Sequence, residues 1–174
     1  FIALSFIIFF WWLYVLCALM IIVESGFPVI YKQKRVGKNG RIFTIYKFRS
    51  MVKNADKIGS TSTADNDLRI TRVGKFLRKT SLDELPQMIN ILKGDMNLVG
   101  FRPDVPHNTE DPKELKYLLR PGITGLAQVN GRSSITVKEK LYWENKYPQV
   151  VSFTMDLKII CKTFIQVLLR KGCN

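Results

Sequence analysis

Histidine and cysteine are scarce in this chain of 174 residues, which holds one histidine and three cysteines. The single imidazole, His107, cannot anchor a metal site built from several histidines. Cys17, Cys161 and Cys173 are odd in number and lie far apart, without the close spacing of a zinc site. A disulfide scaffold and a structural zinc site are therefore not expected, and a reducing compartment fits best.

Acidic residues are also few, with 14 Asp and Glu against 27 Lys and Arg, which gives a formal net charge of +13. Such an excess indicates an anionic partner: nucleic acid, an anionic membrane surface or a phosphorylated substrate. The length of the chain is sufficient for one domain with its own core.

Charge is absent altogether from residues 1–23, and no proline precedes Pro28. As a helix this run would be about 35 Å long, close to the thickness of a bilayer core. It lacks the basic flank and cleavage site of a signal peptide. We therefore expect residues 1–25 to form a membrane helix, either re-entrant or spanning, and residues 26–174 to form a separate domain.

Basic residues follow this segment immediately, in "YKQKRVGKNGRIFTIYKFR". Beside a membrane segment they mark the cytoplasmic side and attract anionic lipid. Two short runs, "PVIYKQKRV" and "RIFTIYKF", flank the turn signal "KNGR". They predict a β-hairpin, which lies either in solvent or at the membrane interface.

The rest of the chain reads as loops and helices. Residues 52–68 are small and polar and predict a loop, and residues 136–147 predict a helix. "VSFTMDLKIICKTFIQVLLRK" predicts a last helix, either packed on the domain or lying in the membrane interface. The expected fold is a small, mostly helical α/β domain with a short hairpin, interfacial amphipathic helices and an N-terminal membrane helix.

An acidic pair, Asp83 and Glu84, stands at the head of an apolar pattern in "TSLDELPQMINILKGDMNLVG". Ser81 and Glu84 have capping-box spacing, which predicts a helix that begins there. The apolar face of this helix is expected to hold Leu85, Met88, Ile89 and Leu92. By spacing alone, the pair could be an ordinary helix cap.

The same pair also has a chemical interpretation. A carboxylate kept ionised at a helix N-terminus is a candidate nucleophile toward phosphorus, and a neighbouring acid could help to bind Mg²⁺. Nearby bases could hold phosphate oxygens: Arg72, Lys75, Arg78 and Lys79. A glycosidase pair fits less well, because consecutive helical residues diverge by about 100° and cannot flank one bond.

Four sequence blocks identify a resemblance that covers most of residues 26–160: "GFPVIYKQKRVGKNGRIFTIYKFRSM", "DLRITRVGKFLRKTSLDELPQMINILKGDMNLVGFRP", "RPGITGLAQVNGR" and "FTMDLKI". In this order they resemble the catalytic domain of the monotopic phosphoglycosyl transferases, the bacterial sugar transferases that start polyprenol-linked glycan assembly.

The resemblance implies Mg²⁺-dependent transfer of a sugar 1-phosphate from a UDP-sugar to a polyprenol phosphate, with undecaprenyl phosphate as the usual acceptor and UMP as product. It implies that Asp83 is the nucleophile that forms a phosphosugar ester, and that Glu84 binds the metal with it or handles a proton. By the same analogy Arg102 and Pro103 shape a phosphate site. "PGITG", with Gly122 and Gly125, and "NGR", with Arg132, would form the nucleotide-sugar pocket.

One feature departs from the family pattern. Its members typically carry a Ser-Pro pair midway along the membrane helix, and this chain has Trp11-Trp12 at the corresponding place. Without proline the backbone hydrogen bonding need not be interrupted, so the segment could span the membrane. The resemblance places the chain at the bacterial cytoplasmic membrane with its catalytic domain on the cytoplasmic face.

Two other functions remain open from the residues alone. The first is a tethered module that binds anionic lipid or nucleic acid; nucleic acid is not expected as a partner, because the aromatic residues do not alternate with bases as a stacking platform requires. The second is a metal-dependent phosphodiesterase or pyrophosphatase that uses the same acids. A homo-oligomer is compatible with all of these functions.

Overall fold

The computed structural model describes residues 1–58, 67–106, 114–131 and 135–169. Within these ranges the fold is α/β and mostly helical. The helices are α1 (Ile2–Phe9), α2 (Trp11–Ser25), α3 (Ala55–Ile58), α4 (Arg72–Lys79), α5 (Gln87–Leu92), α6 (Leu126–Gly131), α7 (Val137–Val150) and α8 (Phe153–Leu168). The strands are β1 (Ile30–Val36), β2 (Ile42–Phe48), β3 (Asn97–Val99) and β4 (Gly122–Thr124).

The apolar N-terminal run forms two helices rather than one. The break falls at Phe10, whose φ of −109° and ψ of 18° are not helical, and the axes of α1 and α2 differ by 62°. Among the described residues no single helix has the length and apolar character of a membrane span, whereas α1 and α2 together meet that criterion. The break lies beside Trp11-Trp12 and occurs without proline.

The predicted hairpin is confirmed. Strands β1 and β2 pair antiparallel, with Ile30 opposite Phe48 and Val36 opposite Ile42. Asn39 and Gly40 have positive φ values of 55° and 73°, which the tight turn requires. A second sheet joins β3 and β4 in parallel. These strands have three residues each, too few for a periodic pattern to reveal them.

Helix α2 shares a core with the domain that follows it. Cys17 and Ile21 of α2 are buried against Phe48 of β2 and Leu77 of α4. Packing therefore continues across the boundary expected at residue 25.

Helices α6, α7 and α8 cover the second sheet. Val99, Val129, Tyr147 and Ile159 form their common core. Helix α7 confirms the helix predicted over residues 136–147, and α8 confirms the last one.

The polar stretch at residues 52–68 contains one helical turn, α3, and is otherwise irregular where the structure describes it. Residues 59–66 lie outside the described ranges. The same holds for three residues singled out in the sequence: His107, Arg132 and Cys173.

Candidate functional site

The acidic pair lies on a 3₁₀ turn, Leu82–Glu84, and not in the first turn of an α-helix. Ser81 has a left-handed backbone, with φ of 57°, and its side chain caps nothing in the described structure. The N–H of Glu84 instead donates to the backbone carbonyl of Ser81, at 3.2 Å. The predicted capping box is therefore wrong, because Ser81 has a left-handed backbone and a 3₁₀ turn follows it in place of the first turn of an α-helix.

The predicted apolar face of the following helix also needs correction. Helix α5 begins only at Gln87, after Pro86, and its fully buried side chains are those of Gln87 and Asn90. Ile89 and Leu92 are partly exposed. Asn90 is buried because it pairs with the edge of β2: its Nδ2 donates to Thr44 O at 2.7 Å and its Oδ1 accepts from the N–H of Tyr46 at 3.1 Å.

Two cations hold the carboxylate of Glu84. Its Oε1 lies 2.8 Å from Lys47 Nζ and 3.2 Å from a guanidinium nitrogen of Arg102, and its side chain is only 16% exposed. Burial alone would raise the pKa of Glu84, but the charges and hydrogen bonds of Lys47 and Arg102 outweigh burial and hold this pKa well below its usual range. Glu84 is therefore ionised at neutral pH.

Asp83 behaves in the opposite way. It is 9% exposed, and burial, followed by the adjacent negative charge of Glu84, raises its pKa to about 6. Lys47, Arg78 and Arg102 act against that rise, so Asp83 is still mainly ionised at neutral pH. Within the described ranges no side chain forms a hydrogen bond or ion pair with this carboxylate.

The donor set around the pair suits a magnesium ion. The described part of the chain contains no group of three or more His, Cys, Asp or Glu side chains that could enclose a metal. Mg²⁺ commonly takes only one or two protein carboxylates and fills its remaining positions with water and substrate phosphates. Asp83 and Glu84 fit that pattern, because both have hard oxygen donors and Asp83 has both oxygens free of other described groups.

A surface pocket opens beside the pair. Its walls carry three cations, a buried amide and close-packed backbone; the lining residues are Arg35, Ile45, Lys47, Gln87, Arg102, Pro103 and Gly122. Arg35 donates to Pro103 O at 2.9 Å, while its Nε has no hydrogen-bond partner in the described structure. A pocket with converging guanidinium and ammonium groups is suited to phosphate oxygens.

The structure brings together part of the predicted phosphate-binding set. Arg102 and Pro103 line the pocket, and Arg78 lies close enough to favour the charged form of Asp83. Arg78 also donates from Nε to Ser50 Oγ at 2.9 Å. Lys79 follows Arg78 at the end of α4, and its side chain is exposed.

The two predicted glycines differ in position. Gly122 lines the pocket, whereas Gly125 is absent from its lining. A Cβ on Gly125 would lie 1.9 Å from Gly100 O, and one on Gly122 would lie 2.1 Å from Gly100 N. Both glycines thus permit close approach of two backbone segments, and Gly125 acts through packing here. The prediction for Arg132 concerns a residue outside the described ranges.

The sequence patterns did not assign two pocket residues, Lys47 and Arg35, to the site. Both continue the inward-facing, alternate positions of their strands: Lys47 follows Phe43 and Ile45, and Arg35 lies on the opposite face from the exposed Lys34. A basic residue at an inward position is unusual unless its charge is used. The alternation of inward- and outward-facing positions along the strands could therefore have distinguished the basic residues of the site from the solvated ones.

Known proteins resemble the chain over nearly its full length. The family model for bacterial sugar transferases matches residues 1–170. Undecaprenyl-phosphate galactose phosphotransferase of Salmonella typhimurium is 41% identical over 169 residues, which is 87% of this chain and 36% of that protein. A UDP-N-acetylgalactosamine-undecaprenyl-phosphate N-acetylgalactosaminephosphotransferase of Aeromonas hydrophila is 40% identical over 166 residues, or 90% of this chain and 39% of that protein.

A shorter relative is matched over most of its own length. The uncharacterized sugar transferase EpsL of Bacillus subtilis is 42% identical over 154 residues, which is 86% of this chain and 75% of that protein. The chain thus spans little more than a third of the longer relatives and three quarters of the shorter one. The acidic pair, the cationic pocket and the extent of these matches agree: the chain belongs to the bacterial sugar transferase family.

Proposed function

We propose that this protein transfers a sugar 1-phosphate from a UDP-sugar to a polyprenol phosphate, with undecaprenyl phosphate as the acceptor. The printed names of the Salmonella and Aeromonas relatives support this class of reaction. The observation that carries the proposal is the contrast within the acidic pair: Glu84 is neutralised by two cations, while the Asp83 carboxylate beside it is buried and unengaged by other described groups.

The reaction proceeds in two displacements. An oxygen of Asp83 attacks the phosphorus that carries the sugar, the bond from this phosphorus to the bridging oxygen breaks, and UMP leaves with the electron pair. A phosphate oxygen of the polyprenol phosphate then attacks the same phosphorus and releases the Asp83 carboxylate. The carboxylate of Asp83 can do this because its pKa, about 6, leaves it ionised at neutral pH while burial keeps it poorly solvated.

The surrounding residues bind and orient the substrate phosphates. Lys47 and Arg102 line the pocket and hold Glu84, and Arg35 brings a third cation to the pocket lining. Bound Mg²⁺, held by Asp83 and Glu84, would supply charge neutralisation for the diphosphate. The cations of Lys47, Arg102 and Arg35 favour a ligand with a dianionic diphosphate over a neutral one.

The proposed location is the cytoplasmic face of the bacterial inner membrane. The apolar surfaces of α1 and α2 support membrane insertion, since Phe9, Trp11 and Val23 are all more than half exposed. Helix α8 supports contact with anionic lipid at the surface, because Phe153, Leu157, Ile160 and Phe164 form an exposed stripe next to basic residues. In this arrangement α8 is both packed, through Ile159, and interfacial.

The test is a screen of UDP-sugars with undecaprenyl phosphate and Mg²⁺ in detergent or nanodiscs, with UMP and the lipid product both measured. We expect UMP and lipid-linked sugar phosphate in equal amounts. Asp83→Asn should abolish both, because an amide is not a nucleophile toward phosphorus, while Asp95→Asn serves as the matched control and should retain activity. Free sugar phosphate without lipid product would show a hydrolase, and near-full activity of Asp83→Asn would refute the nucleophile.

A further inference from the structure

The loop that carries Arg102 is fixed at successive backbone positions. We define the Arg102 loop as residues 101–105. The N–H of Arg102 donates to Glu144 Oε1 at 3.3 Å, and the carbonyl of Pro103 accepts from Arg35 at 2.9 Å. The carbonyl of Asp104 accepts from the N–H of Val36, also at 2.9 Å. Hairpin and helix α7 therefore hold this loop from two sides.

Behind the loop lies an ion cluster made of Asp104, Lys116, Lys140 and Glu144. Lys116 Nζ lies 2.9 Å from Asp104 Oδ2 and 3.2 Å from Glu144 Oε2. Lys140 Nζ lies 2.8 Å from Asp104 Oδ1 and 3.7 Å from Glu144 Oε1. The Glu144 and Lys116 side chains are 1% and 6% exposed, so these charges are removed from water. Glu114 Oε2 adds a third carboxylate oxygen, 3.2 Å from Lys116 Nζ, so three carboxylates surround the two ammonium groups.

A largely buried ion cluster of this kind is poor evidence for stability. The desolvation of its charges offsets their attraction, and apolar side chains of similar volume often serve the fold as well or better. Apolar side chains, however, form no directional hydrogen bonds that could orient a neighbouring group. Glu144 directs one oxygen to the backbone N–H of Arg102 and the other to Lys116, so its rotamer is determined by both bonds.

We infer that the ion cluster is a positioning device for Arg102. Within the described residues, the cluster forms no hydrogen bond or ion pair with the acidic pair. It sets the path of the Arg102 loop, and Arg102 in turn holds Glu84 beside Asp83. Glu144 and Lys116 are thus positioning residues of the transferase site. The inference rests on the proposed function for its activity readout.

The first test replaces charge with apolar volume. The single variant Lys116→Met leaves the buried Glu144 without its nearest cation, so we expect a lower melting temperature and lower kcat/KM. Glu144→Leu leaves Lys116 paired with Asp104 and Glu114 but removes the acceptor of the Arg102 N–H, so we expect lower kcat/KM. The double variant removes both charges. It should regain part of the melting temperature lost in Lys116→Met, since only the partly exposed Glu114 then lacks its cation, while kcat/KM stays at least about tenfold low, because Arg102 N–H has lost its acceptor. Lys138→Met, an exposed lysine on the same helix, is the control and should change neither quantity.

The second test asks whether Glu144 acts through Arg102. Glu144→Gln is made in the wild type and in an Arg102→Ala background, and residual transfer is followed over long incubations. We expect Glu144→Gln to lower transfer activity in the wild type but not in the Arg102→Ala background, because Glu144 would act only through Arg102. Recovery of activity together with stability in the apolar double variant, or an equal loss in both backgrounds, would overturn the inference. A wild type without transfer would instead refute the proposed function, and only that.

Discussion

Asp83 and Glu84 are neighbours in the chain, yet their surroundings push their acid–base behaviour in opposite directions. Burial raises the pKa of Asp83, whereas Lys47 and Arg102 depress that of Glu84. When the pKa values of two neighbouring carboxyls are shifted in opposite directions, one carboxylate can react while the other neutralises charge or orients the substrate. The sequence predicted that a helix N-terminus keeps Asp83 ionised. In the structure three nearby cations, Lys47, Arg78 and Arg102, favour its ionised form instead.

The pH dependence of transfer should report this carboxyl. Attack requires ionised Asp83, so kcat/KM should fall as the pH drops through about 6, the raised pKa of Asp83. Added Mg²⁺ should move the midpoint lower, since a nearby cation favours the carboxylate. Rates measured across the pH range at two Mg²⁺ concentrations provide the test, and an acid limb insensitive to Mg²⁺ would argue against a metal at Asp83.

Substitution of Lys47 should lower transfer activity more than substitution of the other basic residues of the hairpin. Lys47→Met removes the closest cation from Glu84, which then faces Asp83 with weaker neutralisation. Loss of one charged hydrogen bond of about 1.5–3 kcal/mol corresponds to a roughly tenfold or greater loss of activity. Lys34→Met on the exposed face of β1 is the matched control and should leave kcat/KM unchanged. Equal rates for Lys47→Met and wild type would remove Lys47 from the site.

At the scale of elements, the hairpin and α5 form one unit through Asn90. Its side chain makes both hydrogen bonds that a neighbouring strand would make with residues 44 and 46 of β2. The same docking brings Lys47 of β2 next to Glu84, which precedes α5. Asn90 thus contributes both to the packing of α5 on β2 and to the position of Lys47 beside Glu84.

Asn90→Leu should therefore destabilise the protein strongly. It leaves the partly buried carbonyl of Thr44 and N–H of Tyr46 without partners, at about 1–3 kcal/mol each, so we expect a loss of about 2–6 kcal/mol in the free energy of unfolding. Chemical denaturation of the detergent-solubilised protein measures it. Asn97→Leu, an exposed position on β3, is the control. A change below about 1 kcal/mol would show that water replaces the lost bonds.

Sequence patterns predicted the elements whose signal is local. The hairpin followed from alternation and an Asn-Gly turn, and α7 and α8 from helical spacing. The acidic pair was found through its motif, but its surroundings were not. Lys47 lies 37 residues from Glu84, and Lys116 lies 28 residues from Glu144. Periodicity can show that a side chain such as Lys47 faces inward, but the partner it contacts at such a separation depends on how the elements pack.

At the scale of the whole molecule, apolar surface is concentrated at α1, α2 and the exposed stripe of α8. Phe153 and Phe164 are 85% and 65% exposed, although both are large and apolar. Isolated exposed apolar residues are ordinary, but a continuous stripe on an otherwise basic chain is typical of a membrane surface helix.

Phe164→Asp should weaken vesicle binding without disturbing the domain. It removes about 1.5–3 kcal/mol of apolar burial and adds a charge that anionic lipid repels, so we expect at least about tenfold weaker partition to anionic vesicles. Co-sedimentation with phosphatidylglycerol vesicles measures it. Thr154→Asp adds the same charge outside the stripe and is the control. Equal partition of both variants would place α8 away from the bilayer.

The end of α2 has a geometric consequence for the site. Glu24, in the last turn of α2, accepts hydrogen bonds from the N–H groups of Arg72 and Val73 at 2.7 and 3.0 Å, so it caps α4. Tyr14 of the same helix donates to Leu85 O, just after the acidic pair, at 2.9 Å. These hydrogen bonds fix the distance of the acidic pair from α2. If α2 is inserted in a bilayer, they also fix the height of Asp83 above the headgroups, and a lipid phosphate in that plane reaches the proposed nucleophile at a constant depth.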